Sequence, residues 1–138
     1  MTNLFVYGTL MPGHPRHAII EDYVHAEHAA QIPGVLVSLG SFPALIPGEG
    51  LVRGILLEVS ARVFAMTDPI EGYRPQSDSS LFIRKRVVAK LDGGVEVETH
   101  VYEFARLDQL ADCPRLVVGH ENGVPVHAWI TQPTAEQT

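Results

Sequence analysis

The 138-residue sequence predicts one α+β domain, built mostly of β-strands and closed or half-closed as a small barrel. Apolar residues make up 46% of the chain, which favours a buried core over disorder. Short β-rich runs recur along the sequence, whereas helical spacing is confined to brief segments. No linker or repeat divides the chain, so we expect a single domain over residues 1–138, with a core of about residues 3–131 and a frayed tail at 132–138.

The first half of the chain alternates apolar, β-rich runs with segments rich in proline and glycine. In order, these patterns predict a buried strand at 3–8, a loop at 9–15, a short helix at 16–23, an extended segment at 24–40 with a turn at Pro33-Gly34, and a loop at 41–50. The loop at 41–50 is predicted because this segment carries two prolines and two glycines.

The second half begins with a predicted strand at 51–59, in which Gly54 indicates a bulge or a close backbone contact. Helical spacing then predicts a helix at 61–70, capped by Ser60 and ended or bent by Pro69. The remaining predictions are strands at 81–91 and 95–105, a hairpin turn at Asp92-Gly93-Gly94 between them, and a further strand or packed tail at 117–129.

Charge and composition exclude several classes of protein. The formal net charge of -6 repels phosphate backbones, so we expect no nucleic-acid partner. No run approaches the ~20 apolar residues of a membrane span, so we expect no membrane association. Cys113 is the only cysteine, which is consistent with a reducing cytoplasm, and the first residues lack the pattern of a signal peptide. We therefore expect a cytoplasmic protein.

Two short segments are candidates for chemistry. Tyr7-Gly8-Thr9-Leu10 directly follows the first predicted strand, and consecutive N–H groups at such a position can form a nest that binds a carboxylate or oxyanion. Glu71 lies at the end of the predicted helix, between an apolar residue and a glycine. Partial burial there raises a carboxyl pKa and suits the group to proton transfer. An ordinary turn and a solvated glutamate are the alternatives when each segment is taken alone.

Together with other short motifs, these segments resemble the gamma-glutamylcyclotransferase-like superfamily. The matching motifs, in order, are Val-Tyr-Gly-Thr-Leu, Phe42-Pro43-Ala44, Val52-x-Gly54, Asp68-x-x-Glu71-Gly72-Tyr73 and a strand with Arg84. The resemblance implies a compact mixed β-barrel with short flanking helices. It also implies an enzyme that cyclises a small gamma-glutamyl amide to 5-oxoproline and releases a free amine, with no metal and no cofactor.

The resemblance also implies roles for individual residues. Glu71 matches the catalytic acid/base, and the segment from Tyr7 through Gly8 and Thr9 to Leu10 matches the part that holds the charged end of the substrate. Tyr102 matches a position that lines the pocket, although a tyrosine of the barrel wall with a satisfied hydroxyl is an equal alternative.

Two residues depart from the family pattern: Phe82 replaces a usual tyrosine and Thr67 an often-found leucine. Phe82 leaves room for a second function, a binding module for a small carboxylate on the same fold. A hydrolase of gamma-glutamyl amides is a third alternative. His25 and His28 have a metal-like spacing, but an extended segment would point them to opposite faces, so we expect no metal site. The sequence indicates neither the amine that leaves nor an oligomeric state.

Overall fold

The computed structural model describes residues 1–74, 79–110 and 112–129. Its elements, in chain order, are β1 (Thr2–Val6), α1 (His17–Ile20), a 3₁₀ turn (Glu21–Tyr23), β2 (Val24–Ser38), β3 (Pro43–Val59), α2 (Val63–Ile70), β4 (Phe82–Leu91), β5 (Glu96–Phe104), a second 3₁₀ turn (Leu107–Gln109), β6 (Val117–Glu121) and β7 (Val124–His127). The tail predicted to be frayed at 132–138 lies outside the described residues.

Five strands close into a mixed barrel in the order β1-β5-β4-β2-β3, because β1 pairs with both β5 and β3. The β1–β5 pairing is parallel, and the other pairings within the barrel are antiparallel. Gly54 lies where β3 meets β1, and a β-carbon there would come within 2.4 Å of the Val6 carbonyl oxygen. The predicted barrel is thus confirmed, and Gly54 makes the close backbone contact rather than a bulge.

The ladder between β2 and β3 corrects two predictions from the sequence. Pro33-Gly34 is not a turn between strands, and 41–50 is not a loop, because β2 continues to Ser38 and β3 begins at Pro43. The register passes from Pro33↔Leu51 to Val35↔Ile46, so Gly34 faces a four-residue bulge. The proline at position 43 is tolerated as the first residue of its strand, and Pro47 is tolerated inside the bulge, since neither position must donate a ladder hydrogen bond.

Two clusters of buried side chains make up the core. One cluster draws on all five barrel strands and on no helix, so we assign it to the barrel interior; it includes Phe5 and Tyr7. The other includes Leu4 and Val6 together with residues of both helices. Alternate side chains of β1 therefore point to opposite sides, as the two-residue period of a strand requires. The end of β1 lies between the two clusters.

The predicted hairpin is confirmed: Asp92-Gly93-Gly94 joins β4 to β5, and the Leu91 N–H donates to the Val95 carbonyl at 2.8 Å. Residues 117–129 add a second hairpin, β6–β7, which joins the sheet through a parallel pairing of β7 with β3. The predicted cap from Ser60 is confirmed, because its Oγ accepts from the Arg62 N–H at 3.4 Å in the turn that leads into α2 at Val63. In the described ranges, no helix is long and apolar enough to cross a membrane.

Candidate active site

A cavity of about 200 Å³ opens at the C-terminal end of β1. It brings together every residue that the sequence predicts for the site, namely Tyr7, Gly8, Thr9, Leu10, Glu71 and Tyr102. The rest of its wall comes from Phe5, Val6, Arg16, Phe42, Pro43, Ile70, Leu81 and Phe82. Segments far apart in sequence thus share one concave surface, mostly apolar, with a few polar groups.

The loop from Gly8 to Leu10 has its carbonyl groups tied to the protein. The Gly8 carbonyl accepts from the Met11 N–H at 3.0 Å, and the Thr9 carbonyl accepts from the Arg16 N–H at 3.0 Å. Nδ1 of His17 lies 2.8 Å from the Leu10 carbonyl oxygen and is the donor of that bond. Three anchored carbonyls fix the orientation of the peptide planes in this loop.

The N–H groups of Gly8, Thr9 and Leu10 have no acceptor within the described part of the chain. In a trans peptide the N–H points opposite to the carbonyl of the preceding residue. The N–H groups of Thr9 and Leu10 therefore point away from the donors that hold the carbonyls of Gly8 and Thr9. Unpaired N–H groups in a loop that lines a cavity are able to bind a carboxylate or oxyanion.

Gly8 is required by close packing. A β-carbon at this position would lie 2.8 Å from Cγ and 2.9 Å from Cδ of Pro43, which is closer than packed carbon atoms come. Gly8 is absent from the glycines with positive φ, so its conformation is open to other residues. The glycine therefore allows the loop to lie directly on the proline ring at the start of β3.

Tyr7 anchors the same loop from inside the barrel. Its hydroxyl donates to the Tyr102 carbonyl at 2.7 Å and accepts from the Leu45 N–H at 3.3 Å. Burial raises the pKa of the Tyr7 phenol well above its usual value, and the negative charge of Glu71 raises it further. Tyr7 thus remains protonated and joins β1 to β5 and β3 at the floor of the cavity.

Glu71 is placed by the way α2 ends. Gly72 has a φ of 67°, its N–H donates to the Pro69 carbonyl at 3.1 Å, and the Tyr73 N–H donates to the Asp68 carbonyl at 2.9 Å. This pair of bonds is the Schellman motif, in which a left-handed glycine ends a helix. The C-cap residue is Glu71. Since glycine adopts this conformation without strain, the Glu-Gly pair of the sequence fixes where the carboxylate projects.

The Glu71 carboxyl has an unusual proton affinity. Burial raises its pKa to about 7, against the opposing effect of Arg16. Nη1 of Arg16 lies 4.0 Å from Oε2 of Glu71, and 17% of the Glu71 side chain is exposed. A carboxyl with a pKa near neutrality is able both to accept and to donate a proton in that range.

Tyr102 lines the cavity but is almost fully buried, and its hydroxyl is hydrogen-bonded within the protein. Its hydroxyl donates to Asp68 and lies 2.6 Å from Oγ1 of Thr67. Since the single proton of the phenol goes to Asp68, the Thr67 hydroxyl is the donor to Tyr102, and the same proton is shared with the Val63 carbonyl at 3.3 Å. Arg84 completes the network with two bonds to Asp68, at 3.0 and 3.3 Å. Thr67, a departure from the family pattern, thus holds a hydroxyl group beside the cavity wall.

Phe82, the other departure, forms part of the apolar wall. Its ring centroid lies 6.2 Å from that of Phe42 and 5.2 Å from that of Phe104. Arg16 also lines the cavity but is not predicted from the sequence, because it belongs to none of the motifs and begins the predicted helix 16–23. The one available hint was that Arg16 lies close in sequence to the loop from Gly8 to Leu10, which we call the nest loop. No group of three or more His, Cys, Asp or Glu side chains within 1–74, 79–110 and 112–129 is arranged to hold a metal ion.

Solved structures share the fold. The chain superimposes on an AIG2-like protein from Mus musculus with a TM-score of 0.64 and 21% identity, over 96% of this chain and 98% of that one. It also superimposes on YkqA from Bacillus subtilis with a TM-score of 0.62 and 18% identity, over 89% of this chain. The chain spans only 39% of the length of YkqA.

Sequence comparison shows the family. A curated protein from Niallia circulans, gamma-L-glutamyl-butirosin B gamma-glutamyl cyclotransferase, is 35% identical over 105 residues, which cover 74% of this chain and 67% of that protein. The family described as "Gamma-glutamyl cyclotransferase, AIG2-like" matches residues 4–130. The expected resemblance is therefore confirmed, and the chain belongs to the gamma-glutamyl cyclotransferase, AIG2-like family.

Proposed function

We propose that this protein cyclises a gamma-glutamyl amide to 5-oxoproline and releases a free amine, with Glu71 as the general acid/base. The observation that carries the proposal is the shared cavity of Glu71 and the nest loop. A carboxyl of pKa about 7 and three N–H groups without an acceptor in the described part of the chain line one concave surface. The first suits proton transfer, and the second suits the binding of a carboxylate.

The substrate brings its own nucleophile. In a gamma-glutamyl amide, the α-amine attacks the γ-carbonyl of the same molecule to close a five-membered ring, so proximity is built in. The nest of Gly8, Thr9 and Leu10 holds the α-carboxylate. What the substrate lacks is a base, because its α-amine is mostly protonated near neutral pH. Ionised Glu71 takes that proton and leaves a neutral amine able to attack.

The remaining steps return the proton. Attack forms the ring C–N bond and a tetrahedral intermediate, whose scissile C–N bond then breaks. Glu71 delivers its proton to the departing nitrogen, and the second proton of the ring nitrogen passes to the same amine, which leaves as an ammonium ion. The products are 5-oxoproline and the protonated amine, and Glu71 is again ionised. The cycle uses one side-chain carboxylate, which is what the cavity supplies.

A panel of gamma-glutamyl dipeptides and gamma-glutamyl alkylamides, with product analysis by mass spectrometry, tests the proposal. We expect 5-oxoproline to appear in equal amounts with the free amine. If glutamate appears instead of 5-oxoproline, the protein is a hydrolase and not a cyclase. If the compounds bind but no product forms, the protein is a carboxylate-binding module and neither enzyme. The matching α-glutamyl dipeptides are the control, since their amine cannot reach the scissile carbonyl through a five-membered ring.

A further inference from the structure

Arg16 has a role that the proposed chemistry does not use. It is the sole cationic side chain among the described residues that line the cavity. The ion pair with Glu71 at 4.0 Å is too long for a hydrogen bond, and its guanidinium has no hydrogen-bond acceptor within the described ranges. A planar fork of N–H donors at a cavity is suited to a carboxylate of a ligand.

Arg16 lies at the mouth of the cavity, whereas the nest lies deeper. The Arg16 side chain is 46% exposed and that of Glu71 is 17% exposed. Gly8 and Leu10, in the nest, are buried. The hydrogen bond from the Arg16 N–H to the Thr9 carbonyl, at 3.0 Å, ties the arginine to the nest loop. The cavity therefore has a buried anion site at its floor and a cation at its opening.

This arrangement sets the direction of the substrate, if the proposed function holds. The glutamyl half binds with its α-carboxylate on the buried nest, and the scissile amide lies beside Glu71. The amine half then extends toward solvent, past Arg16. An ammonium group on the amine half would be repelled by this arginine, whereas a carboxylate would be attracted.

We infer that Arg16 is a specificity-determining residue that binds a carboxylate on the amine half of the substrate. The substrate class is then a gamma-glutamyl amide of an amine that itself carries an acidic group close to the nitrogen, such as an α-amino acid. The inference rests on the proposed function and adds a preference to it. A charged hydrogen bond at a half-exposed site favours such substrates by roughly tenfold.

The test compares two substrates of the same shape, gamma-glutamyl-alanine and gamma-glutamyl-alaninamide, which differ only in a carboxylate against a carboxamide. We expect wild-type kcat/KM to be roughly tenfold higher for the acid. Arg16→Gln should bring the two substrates to about the same kcat/KM. Any effect of Arg16 on the proton affinity of Glu71 acts on both substrates and cancels in this ratio.

Arg53→Gln is the matched control, because Arg53 is also half exposed, at 54%, and pairs with Glu121 outside the cavity. It changes the net charge by the same amount and should keep the tenfold preference of the wild type. Equal kcat/KM for both substrates in the wild type would overturn the inference and leave the cyclase intact. An equal loss with both substrates in Arg16→Gln would also overturn it. Absence of 5-oxoproline from every gamma-glutamyl compound would remove the proposed function and this inference together.

Discussion

Gly8 and Pro43 are in direct contact: a β-carbon on the glycine would lie 2.8 Å from Cγ of the proline ring. The contact joins the loop after β1 to the first residue of β3. Because β1 also pairs with β3 along its length, the nest loop lies on a surface that the barrel itself makes rigid. The position of the loop from Gly8 to Leu10 is thus set by packing, before any ligand binds.

Gly8→Ala should therefore disturb both stability and the site. The added methyl group has to displace the proline ring or the loop, and overpacking of this kind costs about 1–3 kcal/mol. We expect a lower melting temperature and a lower kcat/KM for a gamma-glutamyl substrate. Gly93→Ala is the matched control, because nothing lies within 4 Å of its β-carbon and its φ is not positive. Equal melting temperatures for the two variants would show that the Gly8 contact is not tight.

Tyr102→Phe tests the network behind the cavity wall. The phenol hydroxyl bridges Thr67 and Asp68, and its removal breaks the bond to the Asp68 carboxylate and leaves the buried Thr67 hydroxyl with only the Val63 carbonyl. We expect a loss of about 1–3 kcal/mol in the free energy of unfolding, measured by chemical denaturation. Tyr23→Phe should cost much less, because the Tyr23 hydroxyl has no hydrogen-bond partner in the described part of the chain. A large change in turnover with unchanged stability would instead assign the hydroxyl to the substrate.

Glu71→Gln tests the proposed acid/base directly. The amide keeps the size of the side chain but accepts no proton, so turnover should fall by roughly 10²–10⁴-fold. Substrate affinity should change much less, because in the proposed mechanism the nest of Gly8 to Leu10 holds the charged end of the substrate. Glu58→Gln is the control, since Glu58 lies outside the cavity in an ion pair with His28. The measurement is 5-oxoproline release under saturating substrate, and full activity in the Glu71 variant would end the assignment.

The same substitution should alter stability in a pH-dependent way. Glu71 has a pKa of about 7 in the folded protein against 4.5 for the ordinary group. Below pH 4.5 the Glu71 carboxyl is protonated in both the folded and the unfolded chain, so its raised pKa does not change the free energy of unfolding. Between 4.5 and 7 the unfolded chain loses its proton first, so wild-type stability falls as pH rises. Above about pH 7 the burial of the ionised carboxylate lowers the free energy of unfolding by its full amount, about 3 kcal/mol. We expect Glu71→Gln to match the wild type at pH 4 and to exceed it at pH 8 in denaturant titrations; equal stability at pH 8 would contradict the raised pKa.

Much of the barrel is predictable from local pattern. Alternating β-rich runs and the Asp92-Gly93-Gly94 turn predict β4, β5 and their hairpin, since each is encoded by neighbours in sequence. The first part of β3 was missed because Pro43 and Pro47 have the signature of a loop. Their tolerance depends on the bulge opposite Gly34, which is a property of the pairing with β2 and not of either segment alone.

The residues of the site also divide into those that local sequence predicts and those that depend on the folded structure. Glu71 and the loop from Tyr7 to Leu10 are predictable from the ordered set of motifs that resembles the family. A glycine beside each marks a local backbone requirement, a helix end in one case and a close contact in the other. Arg16 was missed because its relation to Glu71 arises only when residues 55 positions apart meet across the cavity. In the sequence alone it is an ordinary polar residue at the start of the predicted helix 16–23.

The ion pair between Arg16 and Glu71 predicts how activity depends on pH. Glu71 must be ionised in the free enzyme to take a proton from the α-ammonium, so kcat/KM should rise with pH through a midpoint near the Glu71 pKa of about 7. Arg16 lowers this pKa, because a positive charge nearby favours the carboxylate. Arg16→Gln should therefore move the rising limb to higher pH, while Arg16→Lys should move it less, because the charge remains. The measurement is kcat/KM from pH 5 to 9 with gamma-glutamyl-alaninamide, whose amine half has no charge for Arg16 to bind. The α-ammonium of the substrate is common to all variants, so its titration does not produce a difference between them. Arg53→Gln, which removes the same charge away from the cavity, should keep the wild-type midpoint. If Arg16→Gln and Arg53→Gln give the same profile as the wild type, the proton affinity of Glu71 does not depend on Arg16.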